Sequence, residues 1–328
     1  MTTSFTHHHV DSSGHRIHCV SAGEGPAVVM VHGFPESWYS WRHQLTALAD
    51  AGYRAIAIDV RGYGRSARPA DIEAYAMTAL VGDVIAVVDD AGPEPAVVVG
   101  HDWGAPIAWN TALLRPDRVR GVAGLSVPYN PRGPVRPLAG MRALADDGQD
   151  PPGQLFYIDY FQEPGVAEAE AEVDVARWLT GFYFSASGEA DPTAPSIGFV
   201  PRQKPMSERF QYPTDGQMAW LGADDLAFYV GEFERTGLTG GFNRYRNIER
   251  DWTELAPWHG APITVPALFI GGDRDGPTLL GARAIERFDQ TLPELVTSEI
   301  LSGCGHWTQQ ERPDEVNRIL LGFLSQLA

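Results

Sequence analysis

Val97-Val98-Val99-Gly100-His101-Asp102-Trp103-Gly104-Ala105 is the stretch on which the fold turns. A β-branched apolar run enters a small-x-acid-x-small turn, and a helical pattern follows. The small residues at 100 and 104 permit a sharp, strained bend that lifts residue 102 above a sheet, the geometry of a nucleophile elbow. Its central residue is Asp102, where an ester-cleaving enzyme would carry serine. That difference decides the chemistry: a carboxylate attacking an alkyl carbon makes an ester that water can cleave, whereas serine would make an inert ether. The plainer reading is a turn aspartate that caps a helix.

Outward from the elbow, short apolar runs recur at α/β spacing: 28–31, 55–58, 96–99, 119–125, 267–270 and 296–301. They predict buried parallel strands. Leu80, Val84, Val87 and Val88 predict a helix with one apolar stripe laid on that sheet. Pro313 suits the first turn of a last helix whose face is Val316, Ile319, Leu320, Phe323 and Leu327. The alternation predicts an α/β architecture with a mostly parallel, doubly wound sheet. The rhythm stops near Pro128 and resumes near Ile263, and the Pro/Gly-rich borders VPYNPRGP and APWHGAPITVP mark where the chain leaves and rejoins the domain. The expected division is an α/β core from 1–127 and 260–328, with a helical cap inserted at 128–259.

The 328 residues suffice for a large core, and 44 % hydrophobic against 20 % charged residues is a globular composition. Twenty-five Lys and Arg against 42 Asp and Glu give a net charge of −17, which repels phosphate backbones and anionic lipid, so nucleic-acid binding is not expected. MTTSFTHHHVDSSG has neither the basic nor the apolar part of a leader, and no apolar run approaches a bilayer span. The expectation is a cytoplasmic protein without membrane insertion. Cys19 and Cys304 are expected to be free thiols, and His7, His8 and His9 a solvated polar cluster.

Further residues complete a reaction centre. His32-Gly33-Phe34-Pro35-Glu36 follows the first apolar run, and in this architecture that loop donates one backbone N–H to an oxyanion hole while the residue after the elbow donates the other. Phe34 and Trp103 are therefore the candidates, with His32 supporting the turn. Asp59-Val60-Arg61-Gly62-Tyr63-Gly64-Arg65-Ser66 reads as structural, with Arg61 paired. Of ten histidines, His306 alone follows the last predicted strand, on the loop GCGHW, downstream of a plausible acid. His101 is expected to be a packed, hydrogen-bonded ring. The acid that orients His306 lies in IGGDRD, where Asp273 and Asp275 both remain open; SVPYNPRGP, after the run at 119–125, offers no carboxylate.

HGFPESW, DVRGYGRS, GHDWGAPIAW and GCGHWTQQERP together resemble the epoxide hydrolases of the α/β-hydrolase superfamily, of the soluble type, over nearly the whole chain. The resemblance implies that Asp275 is the charge-relay acid. It extends to YFQEPG and YRNIER in the insertion, and implies that Tyr157 and Tyr245 are two epoxide-binding phenols, with Tyr160 the alternative to Tyr157. It implies a small apolar epoxide and water as reactants, an ester on Asp102, water activated by His306, and no metal or organic cofactor. Phe34, Trp103, Phe161, Ile248 and Trp307 are the candidate substrate-lining residues. A homodimer is compatible with the sequence but not readable from it. The competing expectations are a haloalkane or haloacid dehalogenase, which shares the first step, and a non-catalytic ligand sensor.

Overall fold

Stiff, branched side chains suit a pleated surface covered on both faces, and the apolar runs become strands. The computed structural model describes residues 4–146 and 153–327. Its strands are β1 (Thr6–Ser12), β2 (His15–Ala22), β3 (Ala27–Val31), β4 (Arg54–Ile58), β5 (Ala96–His101), β6 (Val119–Leu125), β7 (Gln154–Phe156), β8 (Phe199–Pro201), β9 (Ala267–Gly272) and β10 (Leu295–Leu301). Eight form one sheet in the order β1-β2-β4-β3-β5-β6-β9-β10. Pairing is parallel from β4 to β10, while β1 and β2 join antiparallel.

Alternation divides the core in two. Val29, Val31, Ile56, Ile58 and Val98 pack on one face with Leu80, Val84, Val87 and Val88 of α2 (Met77–Ala91) and Ile107 of α3 (Gly104–Leu114). Val28, Met30, Ala55, Ala57, Val97 and Val99 pack on the other with Leu45 and Leu48 of α1 (Arg42–Asp50) and Val316, Ile319, Leu320 and Phe323 of the C-terminal helix Pro313–Gln326. Successive strand residues point to opposite faces, so a doubly covered strand is apolar throughout.

Three expectations need correction. β1 and β2 were not foreseen, because an edge hairpin with one wet face can read as polar as THHHVDS. Of the terminal histidines, His7 and His9 lie on its wet face, exposed as expected; His7 Nδ1 also lies 3.0 Å from His18 Nε2, and His18 Nδ1 lies 2.7 Å from buried Asp59. The insertion holds the short pair β7 and β8, whose three residues each are too few to show a period. β10 is the opposite edge of the sheet and is largely exposed, not buried. In the structural loop after β4, Arg61 grips Asp83 through Nε and Nη2 at 3.0 and 2.6 Å, as expected.

Strand register sets up the site. Val31 pairs with Gly100, His101 with Leu125, and Leu125 with Ile270, so β3, β5, β6 and β9 end in step. The four loops that follow converge on one edge of the sheet, where open α/β sheets bind their ligands. Between β6 and β9 run the helices Pro137–Asp146, Tyr157–Tyr160, Val166–Ala171, Val175–Ala186, Ala223–Thr236, Thr239–Tyr245 and Ile248–Glu254. No helix among the described residues is long and apolar enough to cross a membrane. Both cysteines are free and buried.

Candidate active site

Asp102 stands at the end of β5 with φ of 49°, a left-handed conformation that non-glycine residues rarely hold. The neighbouring glycines make this bend closable. A Cβ on Gly100 would meet the Gly104 carbonyl oxygen at 2.0 Å, and one on Gly104 would meet the Val31 oxygen at 2.0 Å. Trp103 already has helical angles, φ −60° and ψ −26°, so its N–H belongs to the positive end of α3. The Asp102 side chain reaches across to the β3 loop, accepting the Phe34 N–H at 2.8 Å on Oδ1. Helix capping does not account for it.

On the opposite oxygen, Asp102 Oδ2 lies 3.4 Å from His306 Nε2, and His306 Nδ1 lies 2.8 Å from Asp275 Oδ1. Asp273 faces elsewhere, accepting the Gly303 N–H at 2.7 Å on an exposed turn. The structure thus brings Asp275, and not Asp273, to the ring. Asp275 is fully buried, and Thr278 donates to its other oxygen from hydroxyl and backbone at 2.6 and 3.2 Å. His306 is held from both sides: its N–H donates to the Ala186 carbonyl at 2.8 Å, and Glu311 accepts the N–H groups of Gly305 and Trp307, both at 3.0 Å. Burial opposes a charge on the His306 ring, but the Asp275 charge and the hydrogen bonds to Asp102 and Asp275 outweigh it and raise its pKa well above 6.5.

A second buried pair lies beneath. His101 Nδ1 is 2.7 Å from Glu36 Oε2, and its Nε2 is 2.7 Å from the His306 carbonyl oxygen. Both ring nitrogens face acceptors, so the ring fits the doubly protonated form. Glu36 also accepts the Gly33 N–H at 2.9 Å and the Gln309 amide at 3.0 Å. Burial pushes its carboxyl up, yet the His101 charge and hydrogen bond, with help from His32 and the Gly33 N–H, bring it down to about 2. The pair ties the β3 loop to the His306 loop. His32 supports the turn as expected, its Nδ1 2.8 Å from the Gly33 oxygen and its Nε2 accepting the Val60 N–H at 3.0 Å.

The inserted segment closes the site with rings. Tyr157 and Tyr245 stand 5.9 Å apart between centroids, and Tyr245 meets Phe34 at 5.4 Å and Trp103 at 5.1 Å, both edge-on. Burial, followed for each by nearby charge and polar groups that include Asp102, pushes both phenols well above their ordinary pKa of 10. They remain O–H donors at neutral pH. Tyr160 is committed elsewhere: its hydroxyl donates to Glu170 at 2.6 Å. Phe161 packs on Phe34, Tyr157 and Tyr245 at 5.9, 5.6 and 5.0 Å, and Trp307 meets the His306 ring edge-on at 4.6 Å. Ile248 is buried in the same apolar cluster. Among the described residues, no group of three or more His, Cys, Asp or Glu could hold a metal ion.

Sequence reasoning missed Ser126, Thr278 and the Glu36–His101 pair. Glu36 and His101 sat inside quoted motifs, but nothing in a linear pattern shows that residues 65 apart share a proton.

A mostly parallel sheet with a strained acidic elbow, a histidine after the last strand pair and an insertion after β6 defines an α/β hydrolase. The family profile described as alpha/beta hydrolase fold matches residues 26–313. The chain is 45% identical to epoxide hydrolase B of Mycobacterium tuberculosis, covering 99% of both chains, and 45% identical to epoxide hydrolase A of that organism, covering 97% of both. It superposes on an epoxide hydrolase from an endophytic Streptomyces with a TM-score of 0.94 at 57% identity, covering 98% of this chain and 96% of that one. Epoxide hydrolase A from Mycobacterium thermoresistibile gives a TM-score of 0.91 at 45% identity, covering 98% of each. The chain belongs to the epoxide hydrolases of the α/β-hydrolase fold.

Proposed function

We propose that this protein hydrolyses small apolar epoxides to vicinal diols through a covalent ester on Asp102. The carboxylate attacks one ring carbon from the back; the carbon–oxygen bond breaks, and the ring oxygen takes a proton from Tyr157 or Tyr245. The other phenol remains hydrogen-bonded to that oxygen. An epoxide is a poor electrophile unless its oxygen is stabilised as charge develops.

In the second half-reaction, His306 removes a proton from water, and the hydroxide attacks the Asp102 ester carbonyl. The Phe34 and Trp103 N–H groups stabilise the tetrahedral oxyanion, each such donor being worth about 3 kcal/mol of barrier. The intermediate collapses, the departing alkoxide takes the proton from His306, and the diol leaves. The proton on the regenerated Asp102 carboxyl restores the phenol. Asp275 keeps the proton on Nδ1, so that Nε2 is the basic nitrogen, and stabilises the imidazolium. In this reading residues 128–259 act as a lid that keeps the reacting centre dry, and 1–127 with 260–328 form the core.

The reading is carried by one observation: Asp102 has His306 Nε2 at 3.4 Å on one oxygen and the Phe34 N–H at 2.8 Å on the other. A base poised on the carboxylate it must later deacylate suits a two-step cycle. The names of the similar proteins support the substrate class. A single turnover in heavy-oxygen water tests it. The diol from the first turnover should be unlabelled and Asp102 should carry the label; a labelled first diol overturns the ester. Release of halide from haloalkanes without diol formation would move the protein to dehalogenase chemistry.

A further inference from the structure

The residue that follows β6 has no part in the scheme above. Ser126 is fully buried and holds φ of 72°, a left-handed angle that serine seldom adopts. Its Oγ lies 3.0 Å from His306 Nδ1, the nitrogen that Asp275 Oδ1 approaches at 2.8 Å. A carboxylate only accepts, so Nδ1 must carry the hydrogen, and the serine hydroxyl must then accept a share of it in a three-centre bond.

The backbone is fixed to serve this contact. The Ser126 N–H donates to the Ile270 carbonyl at 2.8 Å. Its own carbonyl oxygen lies 2.9 Å from the Thr278 hydroxyl, which is bound to Asp275. Ser126 and Asp275 therefore flank one N–H from the ends of adjacent strands, β6 and β9, with Thr278 bridging them.

We propose that Ser126 is a positioning residue for His306, sharing the Nδ1 hydrogen with Asp275 and so aiming Nε2 at the Asp102 ester. The inference rests on the alkyl-enzyme reading. It assigns Ser126 to the hydrolytic half-reaction alone, because ring opening by Asp102 does not require a neutral, aimed His306.

The left-handed angle supplies the controls. Glycine adopts it freely, and aspartate tolerates it better than most residues. Ser126→Gly removes the hydroxyl while relaxing the backbone, so a role limited to holding the turn would leave the rates unchanged. Expected instead is a slowing of ester hydrolysis by about tenfold, the worth of one hydrogen bond to a charged ring, with the rate of ester formation unaltered in stopped-flow single turnovers. Asp275→Asn should lose hydrolysis far more severely, and Ser126→Asp placed in that background should restore it by about tenfold or more, since the carboxylate returns from the neighbouring strand.

Hydrolysis at the parental rate in Ser126→Gly, or no gain from Ser126→Asp over Asp275→Asn alone, overturns the proposal. The His306→Gln protein separates the two levels of failure. An adduct trapped there with Ser126→Gly unaffected removes Ser126's part only; no adduct there removes the ester reading and this inference with it.

Discussion

The wall of the site formed by strand ends carries Asp102, Ser126, Asp275 and His306 on backbone pinned by the sheet, whereas the facing wall presents Tyr157 and Tyr245 from short helices packed ring against ring. The first wall is rich in hydrogen bonds that hold charge: Phe34 N–H on Asp102, Thr278 on Asp275, two carboxylates around His306. The second wall resists charge, its phenols pushed upward by burial. The contrast teaches a division of labour. Groups that gain and lose charge need preorganised dipoles around them, while neutral donors need only a dry place and an approximate aim.

The sharpest break of this comparison comes from the strand-end wall. Asp102→Ala is expected to lower turnover by about 10⁴-fold or more, with the circular dichroism spectrum unchanged; measurable residual diol formation close to the parental rate would refute the division. His306→Gln is expected to reduce steady-state turnover by about 10³-fold or more yet leave ester formation intact, so intact-mass spectrometry should find the protein heavier by one substrate.

Changes in the inserted wall should act on the other half of the cycle. Tyr157→Phe or Tyr245→Phe should each slow ring opening by about 10²-fold, and both together should nearly abolish it. Combined with His306→Gln, the double change should prevent the adduct from forming at all. An adduct that still forms at the parental rate would show that the phenols are packing residues.

Smaller effects test how the strand-end wall holds charge. Glu36→Ala strands the buried His101 and should cost about 3 kcal/mol in urea unfolding at neutral pH. Glu36 has a folded pKa of about 2, below the ordinary 4.5. Its stabilising contribution is therefore present above about 4.5 and lost as pH falls toward 2, and the parent and Glu36→Ala proteins should converge in stability over that window. His306 has the opposite sign. Its folded pKa lies above 6.5, so its contribution is full below that value and lost as pH rises through the folded pKa. The stability advantage of the parent over His306→Gln should shrink on the alkaline side; an advantage that grows there would contradict the assigned charge.

Much of this was legible from linear pattern. The runs at 28–31, 55–58, 96–99 and 267–270 became β3, β4, β5 and β9 because strands covered on both faces have no polar residues to dilute the signal. The elbow was legible because only small residues fit at 100 and 104. β1 blurred because an edge strand mixes exposed and buried positions, β10 was legible at 296–301 as a strand but not as an exposed edge, and β7 and β8 were too short. At the site, residues alone left Asp273 and Asp275 open; two positions apart in one turn, they face different partners, and only the turn's path separates them.

The sequence by itself determined a doubly wound sheet, an acidic elbow at Asp102 and a histidine loop at His306, since each is written in short-range spacing and side-chain size. Tertiary structure alone decided that Ser126 and Asp275 meet on one ring nitrogen, that Glu36 and His101 share a buried charge, and that Tyr160 turns to Glu170 while Tyr157 faces Tyr245. Those choices depend on strand register and on which side of a loop faces inward, and neither is encoded by any local stretch of chain.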